Sequence, residues 1–313
     1  MSGAQHHRPA LGISLIIAGF TVFSGMDALV KHSAQTFAIE HITFIRYAAH
    51  LALLLVLIPF FGIRVFLGGG KLGFLTLRGC FLFISTVLFF GAIASLPLAE
   101  AAAIGFMAPI LTVGLSALIL KEPVGIRRWS AVAVGFLGVL IILRPGLQTL
   151  TVAHLMVLGT AFCFSAFTLM TRHAGTETPV LATLFLTAIT GVAGSAALLP
   201  FTGAWPVASG SSWGILVLIG LLALLAEFCL VHGYRCAAAS LLAPFQYIQM
   251  LWATLLGWAV FNTLPDIWTS IGGALVIGAG LYIGYRELRA PERAETPAPV
   301  GETLIATGVP AVT

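Results

Sequence analysis

Long apolar stretches separated by short polar connections run through the chain from residue 11 onward. A helix that crosses the hydrocarbon core of a bilayer needs about 20 mostly apolar residues. Stretches of about that length follow one another along the chain. There are ten of them, at residues 11–31, 40–61, 73–95, 99–120, 127–144, 151–172, 178–200, 212–235, 240–262 and 266–286. The pattern predicts an all-α integral membrane protein with ten transmembrane helices.

The composition excludes an ordinary soluble globular protein. Hydrophobic residues make up 59% of the chain and charged residues only 8%, whereas a soluble domain has about 25% charged residues. The formal net charge of +4 is spread over short loops and forms no basic stripe. We therefore expect a lipid bilayer around the chain and no nucleic-acid partner. The four cysteines show no metal-ligand or redox spacing, so we expect neither a metal nor a cofactor.

The distribution of Lys and Arg predicts the orientation, because cytoplasmic loops carry the excess of these residues. If the N-terminus lies inside, twelve of the fifteen basic residues, Arg78 among them, fall on the inner side. Lys31 and Arg144 fall on the outer side, and Arg46 lies within a span. We expect a multi-pass protein of the bacterial inner membrane with both termini in the cytoplasm. Residues 287–313 are rich in Pro, Ala and Glu, which predicts a disordered cytoplasmic tail.

The second half of the chain resembles the first. At an offset of 141 residues, Phe23-Ser24 meets Phe164-Ser165, although the match is short and chance is the alternative. Two repeats of five helices enter the membrane from opposite sides, which is a common plan for transporters with a substrate site between the halves. The predicted inverted repeats are residues 1–147 and 148–286.

Several short motifs indicate a family. They are Phe44-Ile45-Arg46-Tyr47, Leu96-Pro97-Leu98-Ala99-Glu100-Ala101, Lys121-Glu122-Pro123, Gly135-Phe136-Leu137-Gly138-Val139 and Ala243-Pro244-Phe245-Gln246-Tyr247. Together they resemble the drug/metabolite transporter superfamily, in its ten-helix branch built from two EamA-type domains. The resemblance implies transport of a small metabolite such as riboflavin, S-adenosylmethionine or an amino acid. Asn262 stands where an acidic residue like Glu122 is expected, so these two positions are not assumed to act alike.

Polar residues form a stripe in the first span. Ser24, Asp27 and Lys31 share one helix face. The same offset leads from Ser24 and Asp27 to Ser165 and Thr168 in the sixth span. Charged side chains at membrane depth mark substrate or ion pathways by default. We predict that both stripes line a substrate path. The alternative is that Asp27 and Lys31 only neutralise each other.

Arg46 and His50 share one face of the second span, and Arg46 lies at a depth similar to that of Asp27. A guanidinium group can hold an anionic or carboxylate-bearing solute through its forked donors. We predict both residues on the substrate path. The alternatives are a structural ion pair for Arg46 and a packing role for His50.

Glu227 is the deepest acidic residue and has apolar neighbours in the eighth span. Burial favours the neutral form of a carboxyl group, and such a group can carry a proton during transport. Glu227 is therefore the predicted proton-coupling residue. The alternative is a carboxyl group that is hydrogen-bonded to a neighbouring helix.

The ninth span places amide groups beside aromatic rings, at Gln246, Tyr247, Gln249 and Trp252. This combination suits a planar, hydrogen-bonding solute. We predict these four residues on the substrate path, with simple helix packing as the alternative.

Small residues and prolines indicate how the spans meet. Glycines allow the backbones of the fifth and tenth spans to approach closely, and we predict packing seams there. They are Gly135, Gly138, Gly272, Gly273 and Gly278. Pro109 and Pro244 are predicted to kink or hinge the fourth and ninth spans.

These features favour a secondary transporter that moves a small-molecule substrate without ATP. The chain has no GxxxxGK[ST] loop that would bind a nucleotide phosphate. It also has no His-Glu-x-x-His motif of the kind found in zinc hydrolases. A membrane-embedded enzyme and a non-transporting scaffold stay as alternatives, and a homodimer is compatible with the pattern.

Overall fold

The computed structural model describes most of the predicted spans. The described residues are 8–67, 71–108, 110–112, 115, 126–144, 151–174, 178–236 and 242–289. Within these ranges the chain forms helices and connections and no β-strand. From residue 290 onward, the predicted tail lies outside the described residues.

Ten helices, labelled in chain order, form the framework of this part of the chain. They are α1 (Pro9–Ser33), α2 (Ile39–Phe61), α3 (Leu72–Ser95), α4 (Leu98–Gly105), α5 (Ile126–Leu143), α6 (Val152–Ala174), α7 (Val180–Leu198), α8 (Gly210–Cys236), α9 (Ile248–Phe261) and α10 (Ile267–Arg289). A short helix at Ile63–Phe66 follows α2, and 3-10 turns lie at Leu199–Phe201 and Ala243–Tyr247. Each labelled helix falls within or overlaps one predicted span.

Six of the described helices are long and apolar enough to cross a membrane, namely α1, α2, α3, α6, α7 and α8. Shorter apolar stretches lie at Leu98–Thr112, Trp129–Leu143 and Ile267–Tyr282. The prediction of an all-α, multi-pass membrane protein is confirmed. The count of ten spans stays a prediction.

The outer surface of the helices is apolar. Val56, Phe60, Leu155 and Trp258 are each more than half exposed. Contiguous exposed apolar surface is rare on soluble monomers, and lipid contact accounts for it. Many polar side chains of the described helices lie buried between the helices instead.

Local signals explain where several helices begin and end. Pro97 and Pro179 occupy the position before α4 and α7, where a missing N–H costs no helical hydrogen bond. Asn262 ends α9 with φ +51°, a left-handed conformation that Asn tolerates better than most residues. Pro244 lies in the 3-10 turn before α9 rather than inside an α-helix. Pro109 lies outside the described residues.

The helix contacts follow a two-fold pattern in which each helix of the first half exchanges with the helix five places later. Under this exchange, the contact between α1 and α8 is equivalent to that between α6 and α3. In the same way, α3–α7 is equivalent to α8–α2, and α1–α9 is equivalent to α6–α4. Contacts α2–α7, α4–α9 and α5–α10 map onto themselves. The fold is therefore a two-repeat architecture.

One offset relates the two repeats along the chain. Ile39 and Val180 begin α2 and α7, and they lie 141 residues apart. The same offset separates the ends of α1 and α6, the ends of α3 and α8, and the starts of α5 and α10. The offset of 141 thus identifies equivalent positions in the two halves.

The predicted glycine seam joins α5 to α10. A Cβ atom added to Gly272 would lie 2.4 Å from the carbonyl oxygen of Gly138, so both positions need a bare backbone. Gly278 has no atom within 4 Å of such a Cβ, and its assignment to a seam was wrong. Close backbone approach is thus confirmed at Gly138 and Gly272.

Candidate functional site

A central cavity lies between helices of both repeats. Its empty volume is about 780 Å³ including the open mouth. The residues that line it belong to α1, α2, α3, α6 and α9, to α4 and the chain that follows it, and to the turn before α9. The polar lining residues are Asp27, Arg46, Ser85, Thr86, Thr160, Gln246 and Gln249. The aromatic lining residues are Phe20, Phe23, Phe89, Phe90, Phe106 and Phe164. A concave wall that combines aromatic and other apolar side chains with several polar groups is typical of a small-molecule site.

Asp27 presents a buried carboxylate to the cavity. Its side chain is 7% exposed, and Gln249 Nε2 donates a hydrogen bond to Asp27 Oδ2 at 3.2 Å. Gln246, also in the wall, donates to the Tyr234 hydroxyl at 3.3 Å. The first contact joins α9 to α1, and the second joins the turn before α9 to α8.

Arg46 presents a guanidinium group to the same cavity. It is 2% exposed, and its Cζ lies 4.3 Å from the ring centroid of Tyr47 and 5.7 Å from that of Phe90. Its Nε and Nη1 have no hydrogen-bond partner. No carboxylate of the described residues lies within 4 Å of Arg46, so the alternative of a structural ion pair for Arg46 is not what the structure shows. Arg46 therefore has donors available to a solute.

Ser24, Thr168 and Ser165 form hydrogen bonds to backbone carbonyls and do not line the central cavity. Ser24 bonds Phe20 and borders a small pocket with Asp27 and Gln249. Thr168 bonds Phe164 of its own helix at 2.8 Å. Ser165 is fully buried and donates to the carbonyl of Ala108 at 2.7 Å, which joins α6 to the chain after α4.

Lys31 serves as a structural cap rather than a cavity residue. Its Nζ donates to the carbonyl oxygens of Ile93 and Leu96, at 2.7 Å each. These carbonyls end α3, where a cation interacts favourably with the helix dipole. Lys31 lies more than 4 Å from the carboxylate of Asp27, so the alternative of mutual neutralisation is not what the structure shows.

His50, Tyr247 and Trp252 lie near the cavity but do not line it. His50 is completely buried, and neither ring nitrogen has a hydrogen-bond partner. The Tyr247 ring lies 4.9 Å from that of Phe106. Trp252 donates to Thr21 Oγ1 at 3.0 Å and joins α9 to α1. For these three residues the geometry favours helix packing.

Glu227 lies away from the central cavity and contacts Arg78. Arg78 Nη2 lies 3.3 Å from Glu227 Oε1, and both side chains are buried. Arg78 also donates to Thr171 and Thr187 at 2.8 Å each. Its Cζ lies 4.2 Å from the ring centroid of Phe167. This cluster joins α3 of the first repeat to α6, α7 and α8 of the second.

Arg78 is the main residue that sequence reasoning missed. It was counted only among the basic residues of the inner side, whereas the structure buries its side chain within α3, where it is 0% exposed. A basic residue six positions inside a predicted helix was the available signal. Thr86 and Thr160 were missed too, since isolated threonines in an apolar span give little warning.

One motif of hydrolases occurs without its structural context. Gly210-Ser211-Ser212-Trp213-Gly214 has the Gly-x-Ser-x-Gly spacing. That motif acts on a strand–turn–helix bend, whereas this segment begins α8 and follows no strand in the described ranges. The Ser212 hydroxyl pairs with Ser209 at 3.0 Å. The segment therefore gives no support to a membrane enzyme.

The chain is similar to known transporters over most of its length. The family model described as EamA-like transporter family matches residues 10–144 and again residues 151–285. A riboflavin transporter of Vibrio cholerae is 25% identical over 92% of this chain and 97% of its own length. A pseudopaline exporter, CntI, of Pseudomonas aeruginosa is 30% identical, with coverages of 84% and 92%. An S-adenosylmethionine uptake transporter of Rickettsia bellii is 23% identical, with coverages of 90% and 96%.

A solved crystal structure shares the fold. Its TM-score is 0.64 at 19% sequence identity, and the match covers 90% of this chain and 99% of that one. At this identity the likeness concerns the fold alone.

Proposed function

The chain belongs to the EamA-like transporter family and is a small-molecule transporter, and we propose that it carries a small polar or aromatic metabolite across the bacterial inner membrane through the central cavity. Transport proceeds by alternating access, in which the two repeats rock about a shared site. Both repeats contribute to the cavity wall, as this mechanism requires.

The cavity chemistry is the observation that carries the proposal. Asp27 offers a carboxylate, Arg46 offers unpartnered N–H donors, and Gln249 offers an amide. Buried unpartnered donors cost free energy unless a ligand satisfies them. Phenylalanine rings around these groups provide flat apolar contact. A solute with a planar ring and several hydrogen-bonding groups fits this wall.

Two relatives are named for riboflavin and S-adenosylmethionine, and the family resemblance implies an amino acid as a third kind of cargo. A vitamin such as riboflavin supplies a planar ring, whereas S-adenosylmethionine-like or amino-acid solutes supply opposite charges for Asp27 and Arg46. We further propose repeats at residues 1–147 and 148–286, cytoplasmic termini and ten spans. The proton-coupling role of Glu227 stays a prediction, since the carboxylate now has Arg78 as a partner.

A ligand screen followed by flux measurement tests the proposal. The purified protein is heated with riboflavin, S-adenosylmethionine and the aromatic amino acids in turn, since a ligand of the folded state raises the unfolding temperature. A binding solute is then expected to cross proteoliposomes down its gradient. Chemical turnover of the solute without flux would instead indicate an enzyme. The absence of both flux and turnover would indicate a scaffold.

Matched variants connect the flux to the cavity. Gln249→Ala removes the amide that holds Asp27 and is expected to reduce the ligand-induced thermal shift and the flux. Leu255→Ala alters a 46% exposed residue of the same helix and is expected to leave both unchanged. Equal losses in the two variants would argue against binding at this cavity.

A further inference from the structure

We propose that Glu227 and Thr187 line the cavity of the opposite access state, where the Glu227 carboxylate faces a cationic group of the solute. The inference rests on the alternating-access transport proposed above. In the present conformation both side chains are closed off from the central cavity, and Arg78 contacts them.

Part of the present cavity wall is symmetric between the repeats. At the offset of 141, lining residues map onto other lining residues. The pairs are Phe20 with Ala161, Phe23 with Phe164, Gly105 with Gln246, and Ala108 with Gln249. These eight lining positions are thus common to both repeats, and they serve the site in either state. Asp27 is not among them, because its equivalent Thr168 does not line the cavity.

The wall formed by α2 and α3 has no counterpart in the present cavity. Its lining residues Arg46, Ser85, Thr86 and Phe89 have the equivalents Thr187, Ala226, Glu227 and Leu230 on α7 and α8. None of these four equivalents lines the central cavity. The site is therefore open along α3 and closed along α8.

The closed wall packs tightly against α1. A Cβ atom added to Gly19 would lie 3.2 Å from the carbonyl oxygen of Ala226 and 2.5 Å from the side chain of Leu230. The equivalent contact in the other repeat joins Thr160 to Ser85 through a hydrogen bond of 3.3 Å, and both of those residues border the cavity. Equivalent pairs thus occur in two forms within one molecule: the Thr160–Ser85 pair borders the cavity, whereas the Gly19–Ala226 pair does not.

Exchange of these two forms between the repeats produces the opposite state. Inverted repeats that adopt each other's conformation move the opening to the other side of the membrane. The α3 wall then closes and the α8 wall opens. Thr187 replaces Arg46 in the wall, and Glu227 replaces Thr86. The wall accordingly changes from one with a guanidinium group to one with a carboxylate.

The Arg78 cluster is built so that Glu227 can leave it. Glu227 contacts Arg78 through Oε1 alone, at 3.3 and 3.4 Å, and its Oε2 has no partner. Arg78 keeps its shorter bonds to Thr171 and Thr187 and its contact with the Phe167 ring. The guanidinium thus retains other partners on α6 and α7 when the carboxylate turns toward an opened cavity.

Thiol accessibility tests the change of wall. All four native cysteines are replaced in the full chain, and Ser85→Cys or Ala226→Cys is introduced. A membrane-impermeant thiol reagent is applied to intact cells and to inside-out membrane vesicles. We expect labelling of the two variants from opposite sides. Labelling from the same side, or no labelling of Ala226→Cys from either side, overturns the inference.

Matched variants control for labelling at lipid-facing positions and for variants that do not fold. Ile84→Cys and Phe228→Cys alter exposed neighbours on α3 and α8 and are expected to stay unlabelled. Phe89→Cys and Leu230→Cys repeat the comparison if Ala226→Cys does not fold. Flux through the cysteine-free chain is measured separately. Flux without opposite-side labelling refutes this inference and leaves transport intact, whereas absence of flux refutes the proposed function.

Reagent charge tests the chemistry of the second wall. At Leu230→Cys, a trimethylammonium thiosulfonate is expected to react at least several-fold faster than a sulfonate thiosulfonate, because Glu227 attracts cations. The preference is expected to vanish with Glu227→Gln. At Phe89→Cys, near Arg46, the anionic reagent is expected to be the faster one. If the two reagents react equally fast at both positions, the proposal that Glu227 faces a cationic group of the solute is overturned.

Discussion

At the residue scale, Lys31 and Arg78 show how a cation survives at membrane depth. Lys31 donates to two carbonyls at the end of α3, and Arg78 donates to two hydroxyl groups and a carboxylate. A buried charge is tolerated when it is paired and hydrogen-bonded. Arg46 differs, because two of its nitrogens lack partners beside the cavity. We therefore assign a structural role to Lys31 and Arg78 and solute binding to Arg46.

Loss of Arg78 is expected to destabilise the protein more than neutralisation of Glu227. Arg78→Ala removes the contacts of the guanidinium with Thr171, Thr187 and Glu227 together, and breaking a buried pair in this way costs about 3–5 kcal/mol. Glu227→Gln keeps the shape of the side chain, and Arg78 keeps Thr171 and Thr187. Thermal unfolding of both variants in detergent measures which of them loses more stability. Equal losses of stability would contradict the view that Arg78 is held without Glu227.

Neutralisation of Glu227 also tests proton coupling. If its carboxyl group carries the proton, uptake by Glu227→Gln becomes independent of pH while wild-type uptake varies. Uptake by both proteins is measured across a series of external pH values. Unchanged pH dependence in the variant would remove Glu227 as the proton carrier.

Asp266 is expected to stabilise the protein at neutral pH and to lose that effect in acid. Partial burial acts to raise the pKa of Asp266, but hydrogen bonds from Thr269 and the charge of Arg144 outweigh it and hold the pKa below its ordinary value. The ionised form is therefore favoured by folding. Its contribution is present above the ordinary pKa of about 3.9 and is lost as the pH falls through the lower folded value.

Unfolding temperatures of the wild type and Asp266→Asn measure this effect between neutral pH and about pH 3. Asn keeps an N-cap acceptor for Thr269 but removes the charge that meets Arg144 at 2.5 Å. The wild type is expected to be slightly more stable at neutral pH, because both side chains are partly exposed. The two curves are expected to converge in acid, and a constant gap would refute the assignment.

At the element scale, a close backbone approach joins α5 to α10. The α5–α10 seam brings Gly138 and Gly272 into direct backbone contact. Close approach of this kind favours helix association in a bilayer, where lipid removes the hydrophobic drive between helices. The pair α5–α10 therefore forms a close contact between the two repeats.

Substitution at this seam is expected to be costly only on the contacting face. Gly272→Leu forces a side chain against the Gly138 carbonyl and is expected to cost about 1–3 kcal/mol. Gly278→Leu serves as the control, because a Cβ at Gly278 has open space around it. Thermal unfolding compares the two variants. Equal stability would show that the helices do not meet at Gly272.

At the scale of the whole molecule, repeated contacts at equivalent positions support the two-repeat fold. Gly79 on α3 meets Thr187 and Thr190 on α7. Gly220, at the offset of 141, meets Arg46 and Ala49 on α2. These contacts lie on opposite sides of the pseudo-two-fold axis. The two repeats thus contact each other through equivalent glycines.

Equivalent substitutions are accordingly expected to have equivalent effects. Gly79→Leu and Gly220→Leu should lower the unfolding temperature by similar amounts, since a Cβ at either site comes within 3 Å of the facing helix. Gly73→Leu and Gly214→Leu form the matched control pair, because both have open space and the same offset. A large effect in only one member of either pair would argue against the symmetry.

The apolar runs by themselves determined the class of protein, the approximate positions of the helices and the likeness of the halves, because helix formation in lipid depends on local apolar length. They also marked Asp27, Arg46 and Gln249, since a polar group in an apolar run is visible without any partner. Only the tertiary structure decided that Lys31 caps α3, that Glu227 meets Arg78, and that the cavity opens along α3. Those outcomes depend on how helices distant in sequence rotate and pack, which no local pattern specifies.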